Sequence, residues 1–297
     1  MWSLITDGAT LTHPAQTGMW IGQGAADLST PWRHTLLAQG KCFSMVASCL
    51  GGFALCVQGE QVDPSRWGVR NGGWRRVVGV MAYLIAHHRR RVTKEELIDT
   101  FWDEADGISA NQSLDRTVSA LRRALEPNLG RYQRSAYVLG PDNGYRFSPD
   151  VYVAVDAEEF VARFKEAAAM ERRDGIAAAV PFYQQAEAMY AGPYMYGVPY
   201  AELWCHYQSQ ILSDYHRTAL TRLAYFAWRS HDFDSLASYA HRVLGEYGCE
   251  GDVCRWLVDA YAKGAATTAA RRHVETCPYR RKIGGAPCPD LSLVLRR

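Results

Sequence analysis

Apolar side chains recur at helical spacing over most of the chain, and the first long run lies at residues 74–88. One face of that run is apolar, at Val77, Val80, Met81, Leu84 and Ile85. Residues spaced three and four apart share one side of an α-helix, so this run predicts a helix that buries one face.

Two further helices are predicted after this run. Thr93 and Glu96 have the spacing of a capping box, in which the threonine hydroxyl accepts from the backbone three residues on, so a helix should begin there. Ser109 or Asn111 can cap a third helix that continues to about Glu126, before a proline and a glycine end it.

Strand and turn signals lie on both sides of these helices. Residues 46–57 read as a strand pair or one bent strand, and Gln58-Gly59 as a tight turn. Residues 64–73 read as a loop. Asn143-Gly144 between two apolar runs predicts a hairpin with positive φ at both central positions. Three helices followed by a hairpin is the order of a winged helix-turn-helix.

Beyond residue 150 the pattern is helical almost to the end. Paired segments of about 15 residues with short turns favour a tetratricopeptide-like stack. The segments are 157–173, 176–190, 200–229, 233–247, 252–263 and 267–276.

The patterns together predict a mostly α protein. Its fold class is a winged helix-turn-helix with a small β-sheet and wing, followed by an all-α tetratricopeptide-like domain. Three parts are expected: an irregular arm at 1–44, a winged-helix DNA-binding domain at 45–150, and a helical domain at 151–297.

The composition limits which classes of function are compatible with the chain. The 297 residues carry a formal net charge of only +2, so any surface that binds nucleic acid must be a local basic patch. No long apolar run or secretory signal occurs, so we expect a cytoplasmic protein without membrane contact.

No enzyme, cofactor or metal is expected. The sequence has no phosphate-binding loop and no nucleophile–base pair. Its eight cysteines are scattered and favour reduced thiols. A zinc site from Cys249, Cys254, Cys277 and Cys288 is the weaker alternative, because structural zinc prefers closer pairs.

The third helix carries the candidate DNA-reading face. Leu114, Val118, Leu121 and Leu125 share one side, and Gln112, Arg116, Ser119 and Arg123 lie opposite, flanked by Asp115 and Arg122. Arginine suits guanine and glutamine suits adenine in the major groove, while Asp115 would repel phosphate unless it accepts from cytosine. The alternative interpretation is that this face is an ordinary helix surface in contact with solvent.

Basic residues elsewhere in this domain are candidate phosphate contacts. A cluster opens the second helix, where backbone amides and the helix dipole also favour an anion. Two arginines begin the first helix. The hairpin carries two polar side chains that can lie along a minor groove and contact phosphates. These further candidates are Arg90, Arg91 and Lys94, with Arg89 beside them, then Arg75, Arg76, Tyr145 and Arg146.

These segments resemble bacterial transcriptional activator domain proteins, including the SARP-like regulators with an OmpR-type winged helix. The resemblance covers residues from about 46 to 295 and rests on 50–55 with Gly59, 81–88, 91–102, 114–125, 143–147, 155–160 and 227–244. It implies a transcription activator that binds promoter repeats in double-stranded DNA. It also implies that the helical domain contacts RNA polymerase or a sigma factor, and it leaves a homodimer possible.

Two other functions are compatible with the pattern. The chain could be a helical-repeat scaffold whose winged helix binds protein and not DNA. It could also be a signal-sensing module with a small molecule near the loop 194–200, although the tyrosines there suit packing as well.

Overall fold

The computed structural model describes residues 45–67, 73–103, 107–248 and 250–263. The predicted arm at 1–44, the predicted helix at 267–276 and three cysteines of the zinc alternative lie outside these residues.

The winged helix begins with a sheet of short strands in the order β3-β2-β1-β6. Strands β1 (Met45–Ser48), β2 (Ala54–Val57) and β3 (Glu60–Gln61) form an antiparallel meander. The predicted strand pair is thereby confirmed. So is the tight turn, because Gln58 and Gly59 both have positive φ, 50° and 90°.

Strand β6 (Val153–Val155) corrects the prediction that the chain is helical directly after residue 150. It pairs in parallel with β1, with Met45 opposite Val153. A three-residue strand is too short for a periodic signal, and its partner lies far away along the chain. The sheet therefore uses residues on both sides of the predicted domain boundary.

Three helices complete the order expected of a winged helix: α1 (Trp74–Ala86), α2 (Lys94–Phe101) and α3 (Gly107–Leu125). The capping prediction is confirmed, since Thr93 Oγ1 accepts from Glu96 N at 3.1 Å. Helix α3 begins before both predicted caps, and the Asn111 amide donates instead to the Gly107 carbonyl one turn back. The segment predicted as a loop at 64–73 contains the 3-10 helix Pro64–Trp67.

The wing is a hairpin of β4 (Val138–Leu139) and β5 (Arg146–Phe147). The prediction of a two-residue Asn143-Gly144 turn is wrong in its length, because six residues connect the strands. Gly144 N donates to Pro141 O, so Asp142 and Asn143 are the central residues of the tight turn. Asn143 does have positive φ, 62°.

Helices follow one another through the rest of the described chain, and each packs on the next. They are α4 (Asp156–Asp174), α5 (Ile176–Met189), α6 (His206–Arg229), α7 (Phe233–Tyr247) and α8 (Gly251–Lys263), with a 3-10 helix at Ala201–Leu203. The predicted all-helical region is confirmed. The α7 start also matches, because Asp232 accepts from Ser235 N.

One continuous core joins the winged helix to α4, α5 and one face of α6. The segment between α5 and α6 packs on the winged helix: Met195 N donates to Cys49 O, and the rings of Trp204 and Tyr83 lie 5.1 Å apart. A second core lies among α6, α7 and α8.

A buried carboxylate joins the sheet to the helical region. Asp156 begins α4, is 4% exposed, and accepts from the backbone N–H groups of Cys49, Leu50 and Ala157 at 2.7, 3.1 and 2.7 Å. Burial raises the pKa of Asp156 to about 6, against the three donors, which lower it. The end of β1 and the start of α4 are therefore held by one side chain.

Neither a membrane-spanning helix nor a metal-binding cluster occurs in the described residues. None of the helices there is long and apolar enough to cross a membrane. Within the same ranges, no group of three His, Cys, Asp or Glu residues could hold a metal ion.

Candidate nucleic-acid interface

Helix α3 separates its two faces as its periodicity indicates. Leu114 and Leu121 are fully buried, and Val118 and Leu125 are nearly so. The side chains of the opposite face are exposed: Gln112, Arg116, Ser119 and Arg123. The buried leucines fix the rotation of the helix and thereby hold this polar face toward solvent.

The exposed face keeps much of its hydrogen-bonding capacity free. Among the described residues, Gln112 and Arg116 form no side-chain hydrogen bond or ion pair. Ser119 donates to the Asp115 carbonyl at 2.7 Å, and Arg123 Nε donates to the Ser119 carbonyl at 3.2 Å. The terminal guanidinium nitrogens of Arg123 remain available, so the face presents two arginines and one amide to a partner.

Arg122 has a different position from its neighbours. Its side chain is half-buried, and its Nε donates to the Val138 carbonyl of the wing at 3.0 Å. Arg122 therefore supports the placement of the wing beside α3 and is not part of the exposed face.

Asp115 links α3 to the wing and to α2. Its Oδ1 accepts from the hydroxyl of Tyr145 at 3.2 Å and lies 3.7 Å from Lys94 Nζ. Tyr145 is only 3% exposed, and burial raises its pKa to about 12. The Tyr145 ring is thus packed in the domain, with almost no surface left for the predicted contact with a DNA backbone.

The basic cluster at the start of α2 is largely engaged within the protein. Arg90 Nη1 lies 2.9 Å from Glu96 Oε2, and Tyr83 donates to Glu96 Oε1 at 2.6 Å. The Arg90 guanidinium holds the pKa of Glu96 at about 2, so this carboxylate is ionised. Arg91 donates to the Asp142 carbonyl in the wing turn.

Arg89 and the arginines of α1 also have intramolecular partners. Arg89 forms an ion pair with Glu158 at 2.7 Å. The Arg76 guanidinium lies 5.3 Å from the centre of the Trp102 ring, and Arg75 lies 5.9 Å from that of Trp74. These contacts leave Arg89 and the α1 arginines less available to a phosphate, although Arg75 is exposed.

Arg146 on β5 is exposed and, within the described chain, has no side-chain partner. Of the candidate arginines on α3 and the wing, Arg116, Arg123 and Arg146 are therefore exposed with guanidinium nitrogens that lack a partner among the described residues. The sequence predicted all three, but it did not predict the Glu96 and Asp115 networks. The one indication of the Asp115 network in the sequence was that an acidic residue lies on a helix face otherwise suited to DNA.

The comparisons with known proteins agree with this architecture. Residues 75–147 match the family described as "Transcriptional regulatory protein, C terminal". No match was found among curated proteins.

A solved structure of Mycobacterium tuberculosis EmbR in complex with a low-affinity phosphopeptide is similar, with a TM-score of 0.60 and 19% identity. The similarity covers 86% of this chain and 64% of that chain, so this chain spans less than two thirds of that protein. At this identity the similarity shows the fold. The family match covers residues 75–147, from the start of α1 to the end of the wing.

Proposed function

We propose that the protein is a transcription activator that binds promoter DNA through α3 and the wing. One observation carries the proposal: the exposed side of α3 presents Gln112, Arg116 and Arg123 with their hydrogen-bonding ends available. These side-chain types pair with the major-groove edges of adenine and guanine. The buried side of the helix fixes them in register.

The wing extends the same interface. Arg122 and the Tyr145–Asp115 hydrogen bond hold the hairpin against α3, and Arg146 is exposed on its second strand. In this proposal Arg146 contacts a phosphate, because a guanidinium binds phosphate oxygens well. Tyr145, Arg122 and Lys94 position the interface and do not contact bases.

Affinity in this proposal depends on a small number of contacts. The net charge is +2, and the arginines at 89 and 90 are paired with carboxylates. With Arg146 as the phosphate contact, the logarithm of the affinity falls with the logarithm of the salt concentration with a slope of only about −1. Such a protein distinguishes promoters by base contacts more than by charge.

The helical region is proposed as the surface that contacts RNA polymerase or a sigma factor, and promoter repeats would bring two copies together. The support is the resemblance of residues 155–160 and 227–244 to activator domains and the stack of helices that follows the winged helix. Stacked helices expose extended surfaces suited to protein partners.

Selection of bound genomic fragments, followed by fluorescence anisotropy on the selected duplex, tests the proposal. We expect Arg116→Ala and Arg123→Ala each to weaken binding by about 1–3 kcal/mol, because each loses a base contact. Arg255→Ala is the matched control, since Arg255 is an exposed arginine on α8 that pairs with Asp252. Failure to select any fragment at low salt, or equal effects of all three variants, would reject DNA reading by α3.

A further inference from the structure

A cleft of about 530 Å³ lies where the winged helix meets the helical region. The end of α1 and the residues after it contribute Ile85 and Arg89, the first turns of α4 contribute Val161 and Lys165, and Trp204 precedes α6 on the third side. The volume falls in the range of small-molecule sites, which are often found between domains. The cleft is separate from the exposed face of α3.

The walls of the cleft are apolar and polar in nearly equal share. Val161 and Trp204 are half-buried and offer apolar and ring surface, while Ile85, Val155 and Tyr194 are buried beneath them. Tyr194 and Val155 are buried and belong to the continuous core, so this part of the cleft is rigid. Such walls bind the apolar body of a ligand through removal of its surface from water.

Three polar groups in the lining lack partners among the described residues. They are the Lys165 ammonium, the Gln208 amide and the buried Nε1 of Trp204. All three can donate hydrogen bonds, and a buried donor without an acceptor is uncommon in native proteins. Lys165 and Gln208 are exposed and can bind water, so Trp204 Nε1 is the buried donor among them that lacks an acceptor, and a ligand with acceptor oxygens would meet all three groups.

The charge of the lining favours an anion. Arg89 is already paired with Glu158 at 2.7 Å, so Lys165 is the lining cation left uncompensated in the described part of the chain. Burial lowers the pKa of His87 below 6.5, so that ring is neutral at neutral pH. The N-terminus of α6 adds the positive end of a helix dipole, and its N-cap residue Cys205, which lines the cleft, makes no side-chain cap.

We propose that this cleft binds a small organic anion, with an aromatic or aliphatic body against Trp204 and Val161 and an acidic group near Lys165 and Gln208. A carboxylate, sulfonate or phosphate meets the same requirement. Binding of the anion does not depend on the proposed function.

Contacts run from this cleft to the proposed DNA interface. The ring of Tyr83 lies 4.3 Å from that of His87 and 5.1 Å from that of Trp204, both in the cleft lining. The Tyr83 hydroxyl donates to Glu96, which holds Arg90 at the start of α2. A ligand that shifts His87 or Trp204 would move Tyr83 and thereby alter the start of α2. An effect of the ligand on DNA affinity through these contacts rests on the proposed function.

The binding test uses two probes and no DNA, so that its failure is distinguishable from a failure of the proposed function. The first probe is 8-anilinonaphthalene-1-sulfonate, and the second is N-phenyl-1-naphthylamine, which has the same rings without the sulfonate. We expect saturable fluorescence enhancement at one site on the full chain, with the anionic probe bound about tenfold more tightly.

Two tryptophan variants localise the site. Ala162→Trp fills the cleft and should weaken both probes by at least about tenfold, whereas Ala169→Trp, at an exposed position of α4 outside the lining, should leave binding unchanged. Lys165→Gln should weaken only the sulfonate probe. Circular dichroism checks that each variant is folded, and the exposed Lys165 keeps the test decisive if Ala162→Trp does not fold.

Three results would overturn the proposal: no saturable binding of the sulfonate probe, equal affinity for both probes, or equal binding by the two tryptophan variants.

Discussion

At the residue scale, the carboxylate of Glu96 holds three parts of the winged helix together. It accepts from the Tyr83 hydroxyl of α1, pairs with Arg90 in the connection, and lies in the first turn of the helix that Thr93 caps. The Glu96 side chain is 28% exposed, so its partners are incompletely screened by water. These contacts place the pKa of Glu96 at about 2, below its ordinary value of 4.5.

Replacement of Glu96 by glutamine should therefore reduce stability in a pH-dependent way. The folded pKa is depressed, so the contribution of the carboxylate is complete above about pH 4.5 and is lost as the pH falls toward about 2. We expect Glu96→Gln to lower the free energy of unfolding by about 1–2 kcal/mol at pH 7 and by clearly less at pH 3. Urea unfolding at both pH values measures this.

Glu95→Gln is the matched control, because Glu95 is exposed on the same turn of α2. It should change stability little at either pH. A loss for Glu96→Gln that stays the same at pH 3 would show that its cause is not the charge.

The same residues show how far the sequence predicts the site. Helical periodicity predicted the exposed positions of Arg116 and Arg123, because the buried face of α3 is defined by local spacing. It could not predict that Arg90 is paired or that Tyr145 is buried. Those facts depend on side chains 6 and 30 positions away, which only the folded chain brings close.

At the element scale, the wing is attached to the residue that precedes the cap of α2. Val92 and Tyr145 exchange two backbone hydrogen bonds of 2.8 Å. This close approach requires glycine at 144, where φ is 145° and a Cβ would lie 2.2 Å from the Val92 carbonyl oxygen. The wing and the start of α2 therefore form one unit, which the Asn143-Gly144 signal alone did not predict.

Gly144→Ala should break this attachment, since the atom it meets belongs to the backbone and cannot rotate away. We expect a loss of about 2 kcal/mol or more in the free energy of unfolding, measured by urea denaturation. Gly107→Ala is the comparison, because a Cβ at the first residue of α3 meets no described atom within 4 Å. Alanine at 107 should leave stability unchanged within about 0.5 kcal/mol or raise it. Equal losses for the two variants would contradict a specific contact at Gly144.

At the scale of the whole molecule, the continuous core crosses the boundary predicted at residue 150. Phe160, Met195 and Leu212 of the helical region belong to the same buried cluster as Met81 and Leu114 of the winged helix. Hydrophobic patterning finds the faces of single helices but not which faces meet, so it did not predict that this core crosses residue 150. The winged helix and helices α4 to α6 should behave as one cooperative unit.

Two fragments test this unit. Residues 1–150 lack β6 and the apolar surface of α4 and α6, so we expect this fragment to give no cooperative thermal unfolding by circular dichroism. Residues 1–232 retain α4 to α6 and should unfold cooperatively. A fragment 1–150 that melts cooperatively near the temperature of the full chain would show that the winged helix folds independently.

The pairing of β1 with β6 also sets an order of events during synthesis. Cys49 and Asp156 are 107 positions apart, so β1 leaves the ribosome well before the strand and the carboxylate that complete its edge. At about 5–20 residues per second, that edge waits for roughly 5–20 s. An unpaired strand can join another chain in that interval, so the nascent protein is most exposed to aggregation before residue 156 emerges. The order in which the chain is made thus delays the winged helix until the helical region has begun to appear.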